Sequence, residues 1–279
     1  MDPDSEVAKA ASKISPLVFL LFFFTACQSN KEDNSQTKKT TTQGSPALQI
    51  QKVDSAIRTG KTIYLTFDDG PNLGTGMVMK IASEEKIPIN MFFIGTQLHG
   101  SPGQLASFRQ AAHNPFIEIQ NHSYTHAHNH FDRFYTSPSN VIADFAKAED
   151  SLGLKAKIVR TPGRNIWRLP NIKFTDIKKS AAASDSLFNA GYTVVGWDVE
   201  WPFNGHLQLT KTTQQMLDKV DSFFSKRETR TPGHLILLAH DQSFADSTDA
   251  TSLRSFMTQL KNSGKYNFEI ISKYPKLKQ

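Results

Sequence analysis

Two adjacent carboxylates, Asp68 and Asp69, stand where an apolar run ends. Ile63-Tyr64-Leu65-Thr66-Phe67 leads into them and Gly70-Pro71-Asn72 follows. Like charges side by side raise each other's pKa unless a cation shares them, and a metal ion or an arginine would be such a partner. The plainer reading is a solvated Asp-Asp-Gly turn that caps a following helix. Further along, His122 and His126 are spaced i and i+4. On a helical turn that spacing puts both imidazoles on one face, close enough to hold one ion. Two histidines plus one carboxylate leave a tetrahedral site open for water or substrate, as hydrolytic zinc sites need. Asp69 can supply that carboxylate and leave Asp68 free as a base. Surface histidines in a polar loop are the alternative, since His128 and His130 follow.

Three more places carry chemically capable residues. Arg160 precedes Thr161-Pro162-Gly163; beside a carboxylate it would hold that group ionised and oriented. The Gly163 N–H could face an oxyanion, although a plain strand-to-loop turn has the same composition. Trp197-Asp198-Val199-Glu200-Trp201 sets acids between two indoles, and Trp201 could wall a small apolar pocket or pack in the core. His240 ends the run Leu235-Ile236-Leu237-Leu238-Ala239, placed to act as a general acid or to serve a structural role.

The elements that would position these residues alternate. Strand-like runs are expected at 62–67, 89–94, 116–120, 157–160, 193–198, 235–240 and 268–272. Amphipathic stretches at 139–152 and 176–190 each stop at a glycine, Gly153 and Gly191, and a third, 251–260, puts Leu253, Phe256, Met257 and Leu260 on one face. Alternation of this kind implies an α/β fold with a parallel sheet, open or closed into a barrel. On this reading Asp68, Asp69, His122, Arg160, Asp198, Glu200 and His240 lie at carboxyl ends of strands, where barrel active sites sit.

The chain opens differently. Leu17 to Phe24 is an unbroken apolar run, too short to span a membrane as a helix but fitting the hydrophobic part of an export signal. Thr25-Ala26-Cys27 then resembles a bacterial lipobox, in which the cysteine is lipidated; Cys27 is the single cysteine of the chain, so the mature protein has no internal disulfide. An ordinary signal peptide cut nearby is the alternative. Residues 28–47 are polar and lack aromatics, a composition that cannot offset its ordering entropy and reads as a flexible linker. Residues 48–279 are long enough for one large domain. A formal net charge of +6 and a pI near 9.2 indicate a solvated basic surface with at most weak attraction to anionic envelope polymer, and no nucleic-acid-reading pattern is present.

The ordered set of motifs resembles the polysaccharide deacetylase family, the NodB-homology domain of carbohydrate esterase family 4. Thr66-Phe67-Asp68-Asp69-Gly70, His122-x-x-x-His126, Arg160-x-Pro162, the Trp197–Trp201 segment and Leu238-x-His240 correspond in order to its five motifs, and Asn90-Met91-Phe92-Phe93-Ile94-Gly95 resembles its second strand. The resemblance covers nearly the whole domain and none of the leader. It implies a single distorted (β/α) barrel of about seven parallel strands. It implies Asp68 as general base, Asp69, His122 and His126 as ligands of a divalent metal, His240 as general acid, Arg160 as the brace of Asp68, and Gly163 as an oxyanion donor. Leu238 and Trp201 would line the acetyl pocket. Zn²⁺ is the expected metal, with Co²⁺ or Ni²⁺ fitting the same ligands. Two departures stand out. Gly163 occupies a position where the family usually has an aromatic residue, so that wall of the cleft is missing or comes from elsewhere, Trp167 being one source. The fourth motif usually ends Asp-Trp; here it is Glu200-Trp201, with Asp198 competing with Glu200 to orient His240.

The expected activity is removal of N-acetyl groups from N-acetylglucosamine-containing polysaccharide, peptidoglycan or a chitin-like oligomer. Removal of O-acetyl groups from a polymer such as xylan, and a catalytically silent glycan-binding protein, are the competing readings. A relative acting on small cyclic amides or formamides fits the leader poorly. The expected setting is the bacterial cell envelope, reached by export and held to the membrane through a lipid at Cys27, with a monomeric catalytic domain.

Overall fold

A computed structural model of the chain describes residues 59–275 and Leu277. The leader, Cys27, the linker and the first residues of the expected domain lie outside that range. The longest strand, β1 (Thr62–Gly70), is central. Ile63 to Asp68 are all buried, the mark of a strand covered on both faces, and this is why its sequence runs apolar instead of alternating. β2 (Ile89–Phe93) lies parallel on one side, from Leu65↔Ile89 onward, and β9 (His234–His240) lies parallel on the other, from Thr62↔His234 to Asp68↔His240. The two-residue β10 (Asn267–Phe268) pairs with the start of β1, below β2.

From β2 the sheet continues through β3 (Ile117–Asn121), β4 (Ile158–Val159) and β7 (Thr193–Val194) to the antiparallel hairpin β5 (Ile166–Leu169) and β6 (Ile172–Thr175); β8 (Val199–Glu200) closes the other end against β9. The order β6-β5-β7-β4-β3-β2-β1-β9-β8 is a distorted α/β half-barrel, mostly parallel. The hairpin was not expected. It uses residues 172–175 as a strand, so the helix expected from Asp176 becomes a 3₁₀ turn at Lys178–Ser180 and α5 (Ala181–Asn189). The expected strand 193–198 stops at Val194 because Gly196 lies against the hairpin: a Cβ there would meet Asn165 Oδ1 at 2.1 Å and Trp167 Nε1 at 2.4 Å.

The remaining helices are α1 (Thr75–Glu85), α2 (Pro102–His113), the short α3 (Phe131–Phe134), α4 (Pro138–Leu152), α6 (Thr213–Ser225) and α7 (Ser247–Asn262). α4 buries Val141, Phe145, Ala148 and Leu152, the stripe its period dictates, and ends at Gly153 in the left-handed conformation. α7 begins four residues before the expected stretch 251–260 because Asp246 caps it, accepting from the N–H groups of Thr248 and Asp249. α6 starts on a Thr212–Gln215 capping box. Helices α1, α6 and α7 cover β1, β2 and β9 on one face in a core that includes Phe67, Val78, Leu237, Phe244 and Phe256. The other face packs Tyr64, Phe92, Trp167, Ile236 and Tyr274. Among the described residues no helix is long and apolar enough to cross a membrane.

Candidate active site

Asp68 and Asp69 are consecutive, and in a regular strand their side chains would point to opposite faces. They do not, because the β1–β2 register shifts between Asp68 and Gly70 and Asp69 takes a left-handed φ of 73°. The bulge re-aims Asp69 so that both carboxylates border one cavity. Asp68 is buried, and its Oδ1 accepts from Arg160 Nη1 at 2.8 Å. Arg160 is fully buried at the end of β4. It donates also to Thr66 Oγ1 (2.7 Å), Gly196 O (3.0 Å) and Val195 O (3.4 Å), and its guanidinium lies 4.2 Å from the centre of the Phe92 ring. Burial pulls its pKa down from the usual arginine value, and Asp68 pulls it back up.

Asp69 Oδ1 lies 3.1 Å from His126 Nε2 and 3.4 Å from His122 Nε2. The other ring nitrogens are spoken for: His122 Nδ1 faces the Arg160 carbonyl at 2.9 Å and His126 Nδ1 faces Asn129 Oδ1 at 3.0 Å. Both partners are acceptors, which assigns the proton of each neutral imidazole to Nδ1 and leaves the Nε2 lone pairs aimed at Asp69. Three lone-pair atoms within 4.8 Å of one another, with Asp69 Oδ1 buried and lacking any donor among the described residues, form a donor set that fits a divalent cation. Otherwise they must share a proton. Burial pushes the Asp69 carboxyl up, yet the two histidines outweigh it and hold it well below the usual range; burial likewise lowers His126, and Asp69 outweighs it and raises it.

The two histidines do not share a helical face. His122 follows β3, and His126, Ala127, His128 and Asn129 are four consecutive residues at positive φ in a 3₁₀ turn, His126–Asn129, preceded by Ser123 at φ 70°. Such backbone is strained for non-glycine residues and persists only where its surroundings hold it. Here Asp144 of α4 accepts from the N–H groups of Tyr124 and Thr125, Asn121 Oδ1 accepts from Ser123 N, and Ser123 Oγ accepts from His126 N.

His240, at the end of β9, is the register partner of Asp68 on the neighbouring strand and borders the same cavity of about 290 Å³. Its ring stands edge-on to Phe203, and its Nδ1 is buried without a hydrogen-bond partner among the described residues. Glu200, Leu238 and Gly163 also border the cavity, but among the described residues Glu200 makes no hydrogen bond to His240. Asp198 is engaged elsewhere, accepting from the N–H groups of Arg230 (2.7 Å) and Ile236 (2.8 Å), and burial pushes it up to about 6. Neither acid therefore orients His240 by a hydrogen bond. Trp201 corrects the pocket-wall expectation: it is fully buried between Phe244 and Phe256, with Nε1 donating to Lys211 O, so core packing claims it. Trp167 is not a cleft wall either, being fully buried against Tyr274.

Two residues escaped the sequence reading. Phe131 borders the cavity from the start of α3. Asp241, next after His240, is fully buried and accepts from Asn72 Nδ2 and Thr75 Oγ1, while Asn72 Nδ2 also donates to the Asp69 carbonyl. Burial, opposed by those two bonds, pushes Asp241 up to about 7. The signal available in sequence was the pair Asn72 and Thr75 just past the carboxylates, whose polar side chains imply a buried acceptor near the loop.

A family profile described as "Polysaccharide deacetylase" matches residues 56–190. Over 237 residues the chain is 24% identical to "Putative polysaccharide deacetylase YheN" of Bacillus subtilis (strain 168), covering 81% of this chain and 73% of that one. A Streptococcus mutans CE4 esterase superposes with a TM-score of 0.57 at 18% identity, covering 76% of this chain and 86% of the other. The peptidoglycan deacetylase PdaC of Bacillus subtilis superposes with a TM-score of 0.54 at 19% identity, covering 76% and 89%.

Proposed function

The chain belongs to the polysaccharide deacetylase family, and we propose that within it this protein is a metal-dependent hydrolase that removes N-acetyl groups from N-acetylglucosamine-containing polysaccharide. The observation that carries the proposal is the arrangement at the end of β1: a carboxylate braced by a buried arginine, beside a His-His-Asp donor set, level with a histidine on the adjacent strand.

The fitting group is a divalent cation, with Zn²⁺ the best match to two imidazoles and one carboxylate, and Co²⁺ or Ni²⁺ compatible. When bound by Asp69, His122 and His126 it supplies Lewis acidity toward a carbonyl and a more acidic water. The protein's own residues do the rest. Asp68 takes the proton of the attacking water, and Arg160, donating to its Oδ1, fixes it in direction. The Gly163 N–H donates to the oxyanion that develops on the amide oxygen. His240 delivers a proton to the departing amine nitrogen, without which the tetrahedral species reverts to amide. Leu238 and Glu200 share the wall of the same cavity, one apolar toward a methyl group, the other acidic.

Composition supports the wider organisation we propose: residues 1–27 an export signal ending in a lipidated Cys27, residues 28–47 a tether, and residues 48–279 a monomeric catalytic domain in the cell envelope. The activity is tested by acetate release from N-acetylchitooligosaccharide, peptidoglycan and acetylated xylan, using metal-stripped and zinc-reloaded protein beside Asp68→Asn. Metal-dependent release from the first two, abolished in the variant, is expected. Release from xylan alone would make the protein an O-acetyl esterase, and glycan binding without any release would make it a binding protein.

A further inference from the structure

The backbone of His240 is fixed from two directions. It ends β9, opposite Asp68 on β1, and the next residue, Asp241, is buried and tied to Asn72 and Thr75. The direction of its imidazole is a separate matter. A histidine that must present one ring nitrogen at a set angle is usually held by a hydrogen bond at the other. The Arg160 carbonyl does this for His122, and Asn129 does it for His126. Nδ1 of His240 is buried and has no such partner among the described residues. Asp198 is committed to the N–H groups of Arg230 and Ile236.

What meets the ring is Phe203. The centroids lie 4.9 Å apart with the planes at 65°, an edge contact of the kind aromatic pairs favour. The loop that carries Phe203 is built to hold it. β8 pairs no further along β9 than Leu238, after which Pro202 leads into a segment that folds back on itself. Thr210 N donates to the Pro202 carbonyl and Asn204 N to the Gln208 carbonyl, both at 2.9 Å, and Phe203 bridges Leu209 in antiparallel fashion. Leu209 N donates to Asp249 Oδ2 of α7 at 3.1 Å, and Leu209 packs against the core. Phe203 is half-buried and does not wall the catalytic cavity, whereas His240 does. A side chain that meets the imidazole without meeting the cavity can act on the reaction only through the imidazole.

We propose that Phe203 is the positioning residue of His240: its ring, fixed by the 202–210 loop, holds the imidazole by packing in the direction from which it protonates the departing amine, the task a hydrogen bond at Nδ1 would otherwise perform. The proposal rests on the deacetylase reading above. It entails a selective defect, because only a leaving group that needs a proton feels a misdirected acid. The nitrogen of an amide must take a proton as its bond to the acetyl carbon breaks; the p-nitrophenolate of an aryl acetate departs as an anion.

The test uses the full zinc-reloaded chain and two substrates, an N-acetylglucosamine oligomer and p-nitrophenyl acetate, each rate corrected for the metal-stripped protein. Phe203→Ala is expected to lower kcat on the oligomer roughly tenfold with KM unchanged. Aryl-ester hydrolysis and zinc affinity are expected to stay as in wild type, and Phe203→Tyr, which keeps the ring, to restore the amide rate. His240→Ala is expected to show the same split between amide and ester, more deeply. Should Phe203→Ala fail to fold, Phe203→Leu, which fills most of the volume without a ring, carries the same expectation. Equal losses on amide and ester in a Phe203 or His240 variant, a change confined to KM, a matching fall in zinc affinity, or full amide activity without the ring each overturn the positioning role and leave the deacetylase reading standing. Absence of acetate release from the oligomer by zinc-loaded wild type overturns both.

Discussion

Replacing Arg160 by methionine removes the one side chain that ties three strands to the candidate base. Arg160 is fully buried and bonds Asp68, Thr66, Gly196 and Val195. Methionine fills much of the same volume but leaves a buried carboxylate without its countercharge, an effect that costs about 3–5 kcal/mol. The Gly196 carbonyl loses its charged donor as well, and unsatisfied buried acceptors cost about 1–3 kcal/mol. These terms are not additive, so the expected destabilisation is about 5 kcal/mol, a fall in Tm of roughly 10–20 °C for a domain of this size. Acetate release is expected to fall at least about a hundredfold, because an unbraced Asp68 is displaced from its line of attack. Arg160→Lys separates charge from geometry. A lysine keeps the positive charge but cannot fan its donors to Asp68, Thr66 and Gly196 together, so it should recover part of the stability and little of the activity. The assay is a thermal melt by circular dichroism beside acetate release, with zinc-loaded protein. Arg160→Met melting within about 3 °C of wild type, or Arg160→Lys restoring full activity, would refute the reasoning.

Asp198 is held near 6 by burial, against about 4 unfolded, so its protonated form favours the folded state. Its contribution to stability is full below about pH 4 and is lost as pH rises through about 6, a change of about 3 kcal/mol. The stability difference between wild type and Asp198→Asn, from urea midpoints, should therefore fall over that interval; a difference flat in pH would contradict the assignment. Asp241→Ala leaves Asn72 and Thr75 without their shared acceptor. It should cost about 2–4 kcal/mol and weaken zinc binding measurably by calorimetry, since Asn72 also holds the Asp69 carbonyl; unchanged zinc affinity would make Asp241 a packing residue only. Cys27→Ser, expressed in a bacterial host that processes lipoproteins, should move the protein from the membrane fraction to the soluble one and abolish labelling by a palmitate analogue. Retention in the membrane would remove the lipid from the picture.

What could be read from the sequence was whatever local spacing encodes. The apolar runs at β1 and β9 and the stripe of α4 follow from periodicity alone, because burial on both faces or on one leaves a simple pattern. Asp68, Asp69, His122, Arg160 and His240 come together at strand ends because parallel strands deliver their last residues to one rim. What stayed hidden depends on tertiary geometry. The i, i+4 spacing of the histidines suggested a helical turn, but a left-handed run, paid for by Asp144 and Asn121, brings them together instead. Trp201 looked like a pocket residue because it neighbours Glu200; a single residue's step along the chain sends it to the core. Phe131 has no spacing signal at all, since its place over Gly163 arises from two loops meeting in space.

The register that sets Asp68 opposite His240 carries a consequence for how this protein can change. The two groups we propose as base and acid are far apart along the chain yet belong to the same rung of a parallel ladder, so their separation is set by strand spacing. Loops between them can lengthen, shorten or be exchanged without altering it. A single residue inserted inside β9 would do otherwise: it would turn His240 to the opposite face of the sheet and leave Asp68 without its counterpart. The loops around the cavity are therefore free to diversify, while the distance between Asp68 and His240 is inherited intact.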